Sequence, residues 1–333
     1  MMTATNLYPL KFQPLYMERV WGGRNLERVF NRTLPAGKVI GESWEICDRP
    51  QEQTQIINGS LAGKTLHEVI DILGKDLTGE VPLLKGRFPL LIKFLDAQER
   101  LSLQVHPPAE IADSLGGEPK TEMWIIADAA PEAHLIAGLK KWVTRGQFAQ
   151  ALEKNEVEPL CHRFKVKAGD VMFLPSGRLH AIDAGNVIVE IQQNSDTTYR
   201  VYDWGRPREL HVEQSMKSII FDDYEPALSA QINEGNLPTD LSFSPKDGQI
   251  ASQNKEQSLA SCEYFSASYH LSDKDFTIEK QTKSFEIWIC LEGKSEINGE
   301  SFAKGDVLLL PANLKMINCN VKDEKLSWIV SKA

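Results

Sequence analysis

Short apolar stretches bounded by turn residues recur along the chain, and they predict a protein built mainly from β-strands. Residues 122–126 read Glu-Met-Trp-Ile-Ile, and residues 286–290 read Glu-Ile-Trp-Ile-Cys. Each run is followed by a Gly-Asp turn, an apolar segment and a proline, at residues 169–175 and again at residues 305–311. Runs of this length between turn residues are typical of buried strands. Because the pair of motifs occurs twice, we expect two similar β-barrels.

Two segments with helical spacing interrupt the strand pattern. At about residues 64–79, a Thr-x-x-Glu capping box begins a segment whose apolar residues recur every three or four positions. At about residues 144–155, a Thr-x-x-Gln sequence begins a shorter segment of the same kind. We therefore predict a small helical insertion in the N-terminal half of a mainly β-protein.

A polar stretch separates the two repeats. Between about residues 222 and 261 the chain is rich in Asn, Gln, Ser, Pro and Asp and has little periodicity, which is typical of a connection over the surface. We predict a first domain over residues 1–230, a linker over residues 231–260 and a second domain over residues 261–333.

The composition of the chain narrows the classes of function. Of its 333 residues 42% are hydrophobic and 25% charged, which is usual for a globular protein with room for two cores. A net charge of −9 argues against nucleic acid as a partner, because binding a phosphate backbone needs a basic face. The first residues lack a basic segment followed by an apolar one, and no run reaches the roughly 18 apolar residues of a membrane span. We therefore expect a cytoplasmic protein that does not bind membranes.

Candidate metal ligands come from three short segments. Gln104 and His106 are two residues apart on a predicted strand, so their side chains project to the same face. Glu122 begins the first repeated run, and His180 follows the Gly-Asp motif that comes after it. Two imidazoles, a carboxylate and an amide oxygen suit Zn²⁺ best, with Fe²⁺, Co²⁺ and Mn²⁺ as alternatives. The five scattered cysteines contain no C-x-x-C pair, so they indicate neither a thiolate zinc site nor a disulfide framework.

The second repeat lacks a complete set of these ligands, and we expect no metal there. The position that corresponds to His180 is occupied by Met316. His270 lies as far before the second apolar run as His106 lies before the first, but the residue two positions earlier is Ser268 rather than a glutamine.

Five further motifs follow one another along the chain: Trp21-Gly-Gly, Gly41-Glu-Ser-Trp-Glu, Leu101-Ser-Leu-Gln-Val-His-Pro, Lys120-Thr-Glu-Met-Trp and Asp196-Thr-Thr-Tyr-Arg-Val. Together they resemble, in the same order, those of the type I mannose-6-phosphate isomerases, zinc enzymes of the cupin superfamily, and especially their short bacterial class. The resemblance covers nearly the whole chain, and it implies a mainly β fold of two cupin-type jelly-roll barrels. It also implies one Zn²⁺ per chain, held by Gln104, His106, Glu122 and His180.

The reaction that this resemblance implies is the interconversion of mannose 6-phosphate and fructose 6-phosphate through a cis-enediol. Zinc would act in it as a Lewis acid on the sugar carbonyl. A proton must also pass between C1 and C2, and its carrier stays open between Glu190, Lys120, Arg200 and a zinc-bound water.

The resemblance also implies how the sugar phosphate is held. Ser102 and the cation at Arg206 are assigned to the phosphate, and Arg200 to the reacting end of the sugar. In the longer class of the family a lysine stands at the position of Arg206, and an arginine could bind the phosphate through two hydrogen bonds. Trp21, in a predicted loop beside two glycines, is the tryptophan best placed to face the sugar ring.

Two other functions are compatible with a metal-binding cupin. A dioxygenase would need Fe²⁺ with open positions for oxygen, and both the Gln104 ligand and the phosphate-type cations argue against it. A non-catalytic sugar-binding cupin would tolerate loss of Arg200 and Lys120, and both are present. The sequence does not indicate the oligomeric state, the pathway that uses the product, or the selectivity among hexose phosphates.

Overall fold

The protein consists mainly of antiparallel β-sheets, and the predicted mainly β class is confirmed. The computed structural model describes residues 7–236, 244–245, 255–280 and 283–333. All pairings between the strands of these residues are antiparallel. Within the same ranges, no helix is long and apolar enough to cross a membrane.

The strands are short and follow one another with few helices between them. In chain order, the strands of the described residues are Leu10–Gln13 (β1), Leu15–Gly23 (β2), Ile40–Ile46 (β3), Gln55–Ile56 (β4), Leu90–Ala97 (β5), Leu103–Val105 (β6), Glu122–Ala129 (β7), His134–Leu139 (β8), Cys161–Lys165 (β9), Asp170–Leu174 (β10), His180–Ile182 (β11), Asn186–Gln193 (β12), Tyr199–Tyr202 (β13), Ala230–Gln231 (β14), Ser244–Pro245 (β15), Lys255–Ser261 (β16), Ser266–Ser272 (β17), Phe276–Glu279 (β18), Glu286–Glu292 (β19), Lys294–Ile297 (β20), Glu300–Ala303 (β21), Val307–Leu310 (β22), Met316–Val321 (β23) and Leu326–Lys332 (β24).

The helices lie in the N-terminal two thirds of the described chain. The α-helices are Asn25–Phe30 (α1), Leu66–Leu73 (α2), Lys75–Thr78 (α3), Ala109–Ala112 (α4), Arg145–Glu153 (α5) and Val212–Ser218 (α6). Single 3-10 turns are formed by Gly59–Leu61, Asp113–Leu115, Glu158–Leu160 and Glu234–Asn236.

Each half of the molecule pairs a seven-stranded sheet with a five-stranded sheet. In the N-terminal half the orders are β14-β10-β7-β12-β5-β3-β2 and β13-β6-β11-β8-β9. In the C-terminal half they are β16-β17-β24-β19-β22-β1-β4 and β15-β18-β23-β20-β21. Buried side chains from both sheets of a half belong to one hydrophobic cluster, so the two sheets of each half face each other.

The sequence repeat corresponds to a structural repeat. Glu122 at the start of β7 pairs with Leu174 of β10, and Glu286 at the start of β19 pairs with Leu310 of β22. The strand β12 lies on the other side of β7, as β24 lies on the other side of β19. The two copies of the motif therefore occupy equivalent positions in the two halves.

The two seven-stranded sheets pack against each other through a shared core. Apolar side chains of β7 and β12 join one hydrophobic cluster with side chains of β19 and β24. Across this interface the rings of Phe88 and Phe285 are both fully buried, with centroids 4.5 Å apart. The strand β1 also crosses the division, because Leu10 pairs with Leu309 of β22.

Of the predicted linker over residues 231–260, residues 237–243 and 246–254 lie outside the described residues. Its last part contains the strand β16, which begins at Lys255 and pairs with β17. The sequence hides this strand because it lies at a sheet edge and, of its side chains, Leu259 alone is buried. The division into domains stays a prediction.

Both helical segments form where capping boxes are present in the sequence. The side chain of Thr65 accepts from the backbone of Glu68 at the start of α2, and Thr144 does the same with Gln147 at the start of α5. The buried residues of α5 pack on the outer face of the five-stranded sheet of the N-terminal half. This sheet is thus covered on the side away from its seven-stranded partner.

Candidate active site

Alternation along the central strands places a set of charged side chains between the two sheets of the N-terminal half. The odd-numbered residues of β7 and β12, such as Met123 and Val189, join the core shared with the C-terminal half. The even-numbered residues, including Glu122 and Glu190, face the five-stranded sheet, because side chains on a strand alternate between faces. Lys93 projects to the same side from β5, where it pairs with Glu190.

Three of the four predicted metal ligands form a compact buried cluster. His106, Glu122 and His180 each offer a ligand atom, and these atoms lie within 4.8 Å of one another. His106 Nε2 is 3.6 Å from Glu122 Oε2, and His180 Nε2 is 3.5 Å from Glu122 Oε1. Gln104 joins them through its amide nitrogen, which lies 3.2 Å from His180 Nε2, and rotation of the amide would present its oxygen instead.

Backbone carbonyls orient both imidazoles toward the shared point. His106 Nδ1 donates to the carbonyl of Thr197 at 2.8 Å, and His180 Nδ1 donates to that of Arg178 at 2.9 Å. A carbonyl can only accept, so each Nδ1 carries the hydrogen and each Nε2 keeps a lone pair directed into the cluster, which is the arrangement found in metal-binding histidines. Within the part of the chain that the structure describes, His106 Nε2 is buried and has no hydrogen-bond partner. Such an orphaned acceptor fits a bound cation.

The electrostatics of the cluster keep its ligands in the unprotonated form that a metal requires. Burial, assisted by Lys120, lowers the pKa of His106 to about 3, and burial also lowers the pKa of His180. Burial alone would raise the pKa of Glu122, but Lys120 and His106 outweigh it and hold that pKa well below the usual range. The donor set and its protonation therefore suit a divalent ion such as Zn²⁺.

Glu190 lies between two buried lysines. Its Oε1 is 3.6 Å from Lys93 Nζ and 3.9 Å from Lys120 Nζ, and its Oε2 accepts from Trp124 Nε1 at 2.9 Å. Lys120 Nζ also lies 2.8 Å from Glu122 Oε2, so it connects Glu190 to the metal cluster. Burial raises the pKa of Glu190, against the opposing effect of the lysines. A buried carboxyl group beside two lysines can accept and release a proton.

The structure extends this arrangement with residues that the sequence reasoning did not identify. Glu42 Oε2 is 3.9 Å from Lys93 Nζ, and Glu42 Oε1 accepts from Arg19 Nε at 3.0 Å. In the sequence, the lysine inside the apolar strand Leu90–Ala97 indicates a buried carboxylate partner, because a buried ammonium group needs one. Together these side chains form a row of alternating charges, here called the charge ladder: Arg19, Glu42, Lys93, Glu190, Lys120 and Glu122.

A cavity of about 350 Å³ lies beside the metal cluster. Of the residues predicted to bind substrate or to act in catalysis, Trp21, Ser102, Lys120, Glu190 and Arg200 line it. The full lining consists of Arg19, Trp21, Glu42, Lys93, Leu95, Leu101, Ser102, Gln104, Lys120, Trp124, Ile182, Glu190, Asp196, Thr198, Arg200 and Arg208.

Arg200 pairs with the strand that carries two of the predicted metal ligands, whereas Arg206 is not among the residues that line the cavity. Arg200 on β13 pairs in register with Gln104 on β6, and its Nη1 donates to the carbonyl of Glu209 at 2.6 Å. Arg206 does not line the cavity; its Nη2 donates to the carbonyl of Arg100 at 2.6 Å. The structure thus brings together all the predicted site residues except Arg206.

Comparison with known proteins identifies the family of this chain. Residues 9–122 match the family described as phosphomannose isomerase type I, catalytic domain. The chain is 36% identical over 324 residues to the mannose-6-phosphate isomerase ManA of Bacillus subtilis, covering 92% of this chain and 94% of that protein. It is 39% identical over 236 residues to the probable mannose-6-phosphate isomerase GmuF of the same species, covering 68% of this chain and 73% of that protein.

Solved structures share the whole fold. The crystal structure of the mannose 6-phosphate isomerase from Bacillus subtilis superimposes with a TM-score of 0.80 at 31% identity, covering 97% of this chain and 99% of that one. A zinc-bound mannose 6-phosphate isomerase structure has a TM-score of 0.74 at 16% identity, covering 98% of this chain and all of that one, and at this identity it supports the fold alone. From the identity and coverage of these relatives, the chain belongs to the type I phosphomannose isomerases.

Proposed function

We propose that the protein is a zinc-dependent isomerase that interconverts mannose 6-phosphate and fructose 6-phosphate through a cis-enediol. The observation that carries this proposal is the buried His-Glu-His cluster at one end of a cavity lined by paired carboxylates and cations. Membership of the phosphomannose isomerase family supplies the substrate class, a hexose phosphate.

We assign the metal to Gln104, His106, Glu122 and His180. Bound there, a zinc ion would polarise the carbonyl of the open-chain sugar and stabilise the negative charge that develops on its oxygen. The orphaned Nε2 of His106 and the anionic carboxylate of Glu122 support this assignment. Among the residues that the structure describes, one such cluster is present, which supports one ion per chain.

We assign the transfer of the proton between C1 and C2 to the carboxyl group of Glu190. Its carboxylate lines the cavity, and Trp124 and Lys93 fix the orientation of its oxygens. Lys120 is the rival carrier, but its ammonium group lies between two carboxylates, an arrangement that favours a permanent positive charge. In this assignment Lys120 stabilises negative charge on the substrate, while Glu190 accepts and returns the proton.

Arg200 is assigned to the reacting end of the sugar, because it pairs with the metal-ligand strand beside Gln104. We expect Arg200→Ala to lower kcat/KM about 100-fold while the zinc content stays at the wild-type level, since a charged hydrogen bond near the reacting oxygen is lost. Steady-state kinetics and elemental analysis of the same preparation check this. Wild-type kinetics in the variant would remove Arg200 from the mechanism.

A coupled assay for fructose 6-phosphate, started with mannose 6-phosphate, tests the proposed function. We expect turnover that a chelator abolishes and that added Zn²⁺ restores. Turnover that resists the chelator would exclude the metal from the reaction, whereas absence of turnover in the zinc-loaded protein would favour a sugar-binding module. Oxygen uptake would favour a dioxygenase.

The cytoplasmic location is likewise a proposal, which cell fractionation tests.

A further inference from the structure

Residues 209–211, just before helix α6, hold the strand residue Arg200 at three points. The backbone N–H of Arg200 donates to His211 Nδ1 at 3.2 Å, and the backbone N–H of His211 donates to the carbonyl of Arg200 at 2.8 Å. The third contact is the bond from Arg200 Nη1 to the carbonyl of Glu209 at 2.6 Å. The same short segment therefore fixes both the backbone and the guanidinium group of Arg200.

The contacts with His211 take the place of a neighbouring strand at the edge of a sheet. Strand β13 stands at the end of the five-stranded sheet, beside β6. The outward N–H and C=O groups of an edge strand need partners other than a strand. His211 satisfies both outward groups of Arg200, one with its ring nitrogen and one with its own backbone N–H. Because Nδ1 accepts, the hydrogen of the neutral imidazole is on Nε2.

These bonds determine how Arg200 faces the strand that carries two of the metal ligands. The N–H and C=O groups of one strand residue point to the same side. Because both groups of Arg200 turn to His211, Arg200 and Gln104 form a pair without mutual backbone hydrogen bonds. In such pairs the Cα atoms are about 4.5 Å apart and the side chains are closest. The register also shifts directly after Arg200, and irregularities of this kind redirect side chains.

The guanidinium group of Arg200 keeps a donor available for a ligand. Among the residues that the structure describes, Arg200 Nε is buried and has no hydrogen-bond partner. Arg200 also lines the cavity. A buried donor without a protein partner suits a substrate oxygen. The direction of this donor depends on the strand backbone that His211 holds and on the carbonyl of Glu209.

The imidazole of His211 is itself held in place, and it lies outside the cavity. Its ring is beside that of Tyr199, with centroids 6.0 Å apart and planes at 46°, a spacing typical of aromatic pairs. Tyr199 is fixed in turn, because its hydroxyl donates to the carbonyl of Leu115 at 2.9 Å. His211 is not among the residues that line the cavity. Any effect of His211 on the reaction must therefore pass through Arg200.

We propose that His211 is a positioning residue whose Nδ1 holds the backbone of Arg200 and thereby directs the Arg200 guanidinium group at the reacting end of the sugar. The inference rests on the proposed function for the identity of the substrate. A contact with charge that develops during the reaction is strongest in the transition state. A displaced Arg200 should therefore lower kcat rather than raise KM.

The test compares zinc-loaded wild type with His211→Ala, which removes the acceptor, and His211→Asn, whose side-chain oxygen can take the position of Nδ1. Glu213→Ala is the matched control, because Glu213 lies in the first turn of the same helix but pairs with the exposed Lys217 at 2.7 Å. For each protein kcat and KM for mannose 6-phosphate are measured. Thermal melting and zinc content show whether the fold and the metal site are retained.

We expect His211→Ala to lower kcat about 10-fold and to change KM by less than about 3-fold, since a misplacement of about 1 Å can cost about 100-fold in rate. His211→Asn should recover most of kcat, and Glu213→Ala should keep the wild-type value. In the Arg200→Ala background, His211→Ala should add less than about a twofold loss, because the residue through which His211 acts is already missing.

Nuclear magnetic resonance follows the position of Arg200 without substrate. The signal of the Arg200 Nε–H group is assigned by its absence from Arg200→Ala. We expect this signal to shift in His211→Ala, to return close to its wild-type position in His211→Asn and to stay unchanged in Glu213→Ala. The same pattern in a protein whose wild type does not isomerise mannose 6-phosphate would support the inference while contradicting the proposed function.

Three results would overturn the inference. Wild-type kcat and an unshifted Arg200 signal in His211→Ala would show that His211 does not position Arg200. Equal losses in His211→Ala and His211→Asn would exclude the acceptor at Nδ1 as the cause. Losses that multiply fully in the variant lacking both side chains would show that His211 acts on the reaction by a route other than Arg200.

Discussion

Lys93 carries a charge into the middle of an apolar strand, and its surroundings explain how the fold tolerates it. Burial of an ammonium group costs several kcal/mol unless a carboxylate accompanies it. Here Glu190 and Glu42 lie 3.6 and 3.9 Å from its Nζ, and the ring of Trp44 packs 4.8 Å away. Each buried charge of the ladder therefore depends on its neighbours, so removal of one affects the others.

We expect Lys93→Met to destabilise the protein by about 3 to 5 kcal/mol, because it leaves two buried carboxylates without their shared cation. Urea denaturation measures the change in the free energy of unfolding. Lys141→Met is the control, since the exposed pair of Lys141 with Glu225 contributes about 0 to 1 kcal/mol. Equal stabilities of the two variants would show that the charge ladder does not stabilise the fold.

The metal ligands give a second prediction for single residues. His106→Ala and His180→Ala are each expected to lose zinc and isomerase activity, because either change removes one of two imidazoles in a set of four donors. Elemental analysis of the purified proteins measures the first effect and the coupled assay the second. His134→Ala, a change at a histidine outside the cluster, should keep a full complement of metal.

At the scale of elements, short helices connect the sheets and depend on their ends. Thr65 and Glu68 form a complete capping box at the start of α2, whose buried residues join the core shared by the two halves. The following helix α3 is capped at its C-terminus by Gly79, where φ is +67° and an added Cβ would lie 1.8 Å from the carbonyl oxygen of Lys283. Glycine at this position permits both the left-handed backbone and the close approach of the C-terminal half.

We expect Thr65→Ala to lower the free energy of unfolding by about 1 kcal/mol, since the first turn of α2 loses its side-chain cap. Thermal or urea denaturation measures the loss. Thr65→Ser should recover most of it, because serine supplies the same acceptor. An unchanged Thr65→Ala variant would mean that packing alone fixes the start of the helix.

At the scale of the whole molecule, the two halves share one core, so we expect them to unfold together. The catalytic cavity belongs to the N-terminal half, but the back of its seven-stranded sheet is covered by the sheet of the C-terminal half. The C-terminal half contains the equivalent strands with a different polar set: His270 Nε2 bonds Ser268 Oγ at 2.7 Å, and Glu286 accepts from Trp288. Its position indicates that it supports the sheet carrying the active site.

Phe285→Ala tests this coupling. The substitution creates a cavity against Phe88 and is expected to cost about 3 to 5 kcal/mol. Circular dichroism, which reports strands of both halves, and loss of isomerase activity, which reports the N-terminal half, should give coincident and equally shifted transitions. Two separate transitions would show that the halves unfold independently. Ile57→Ala, at a half-exposed apolar residue, is the control for loss of apolar volume.

The sequence by itself determined the mainly β class, the twofold repeat, the two capped helices and the residues of the metal cluster. These features depend on local spacing: a period of two places Gln104 and His106 on one face, and the repeated run places Glu122 at a strand start. Only the tertiary structure decided that Lys93 and Glu42 join the site, because pairing of distant strands brings them to Glu190.

The same distinction applies to the arginines that follow strand β13. Arg206 and Arg208 are two residues apart in an irregular segment, where no period relates sequence position to side-chain direction. Their hydrogen bonds to the carbonyl of Arg100 and to Asp203 turn one guanidinium group toward the neighbouring loop and leave the other at the cavity. Local spacing thus identifies the residue types of this site, whereas long-range contacts decide which of two similar cations lines the cavity.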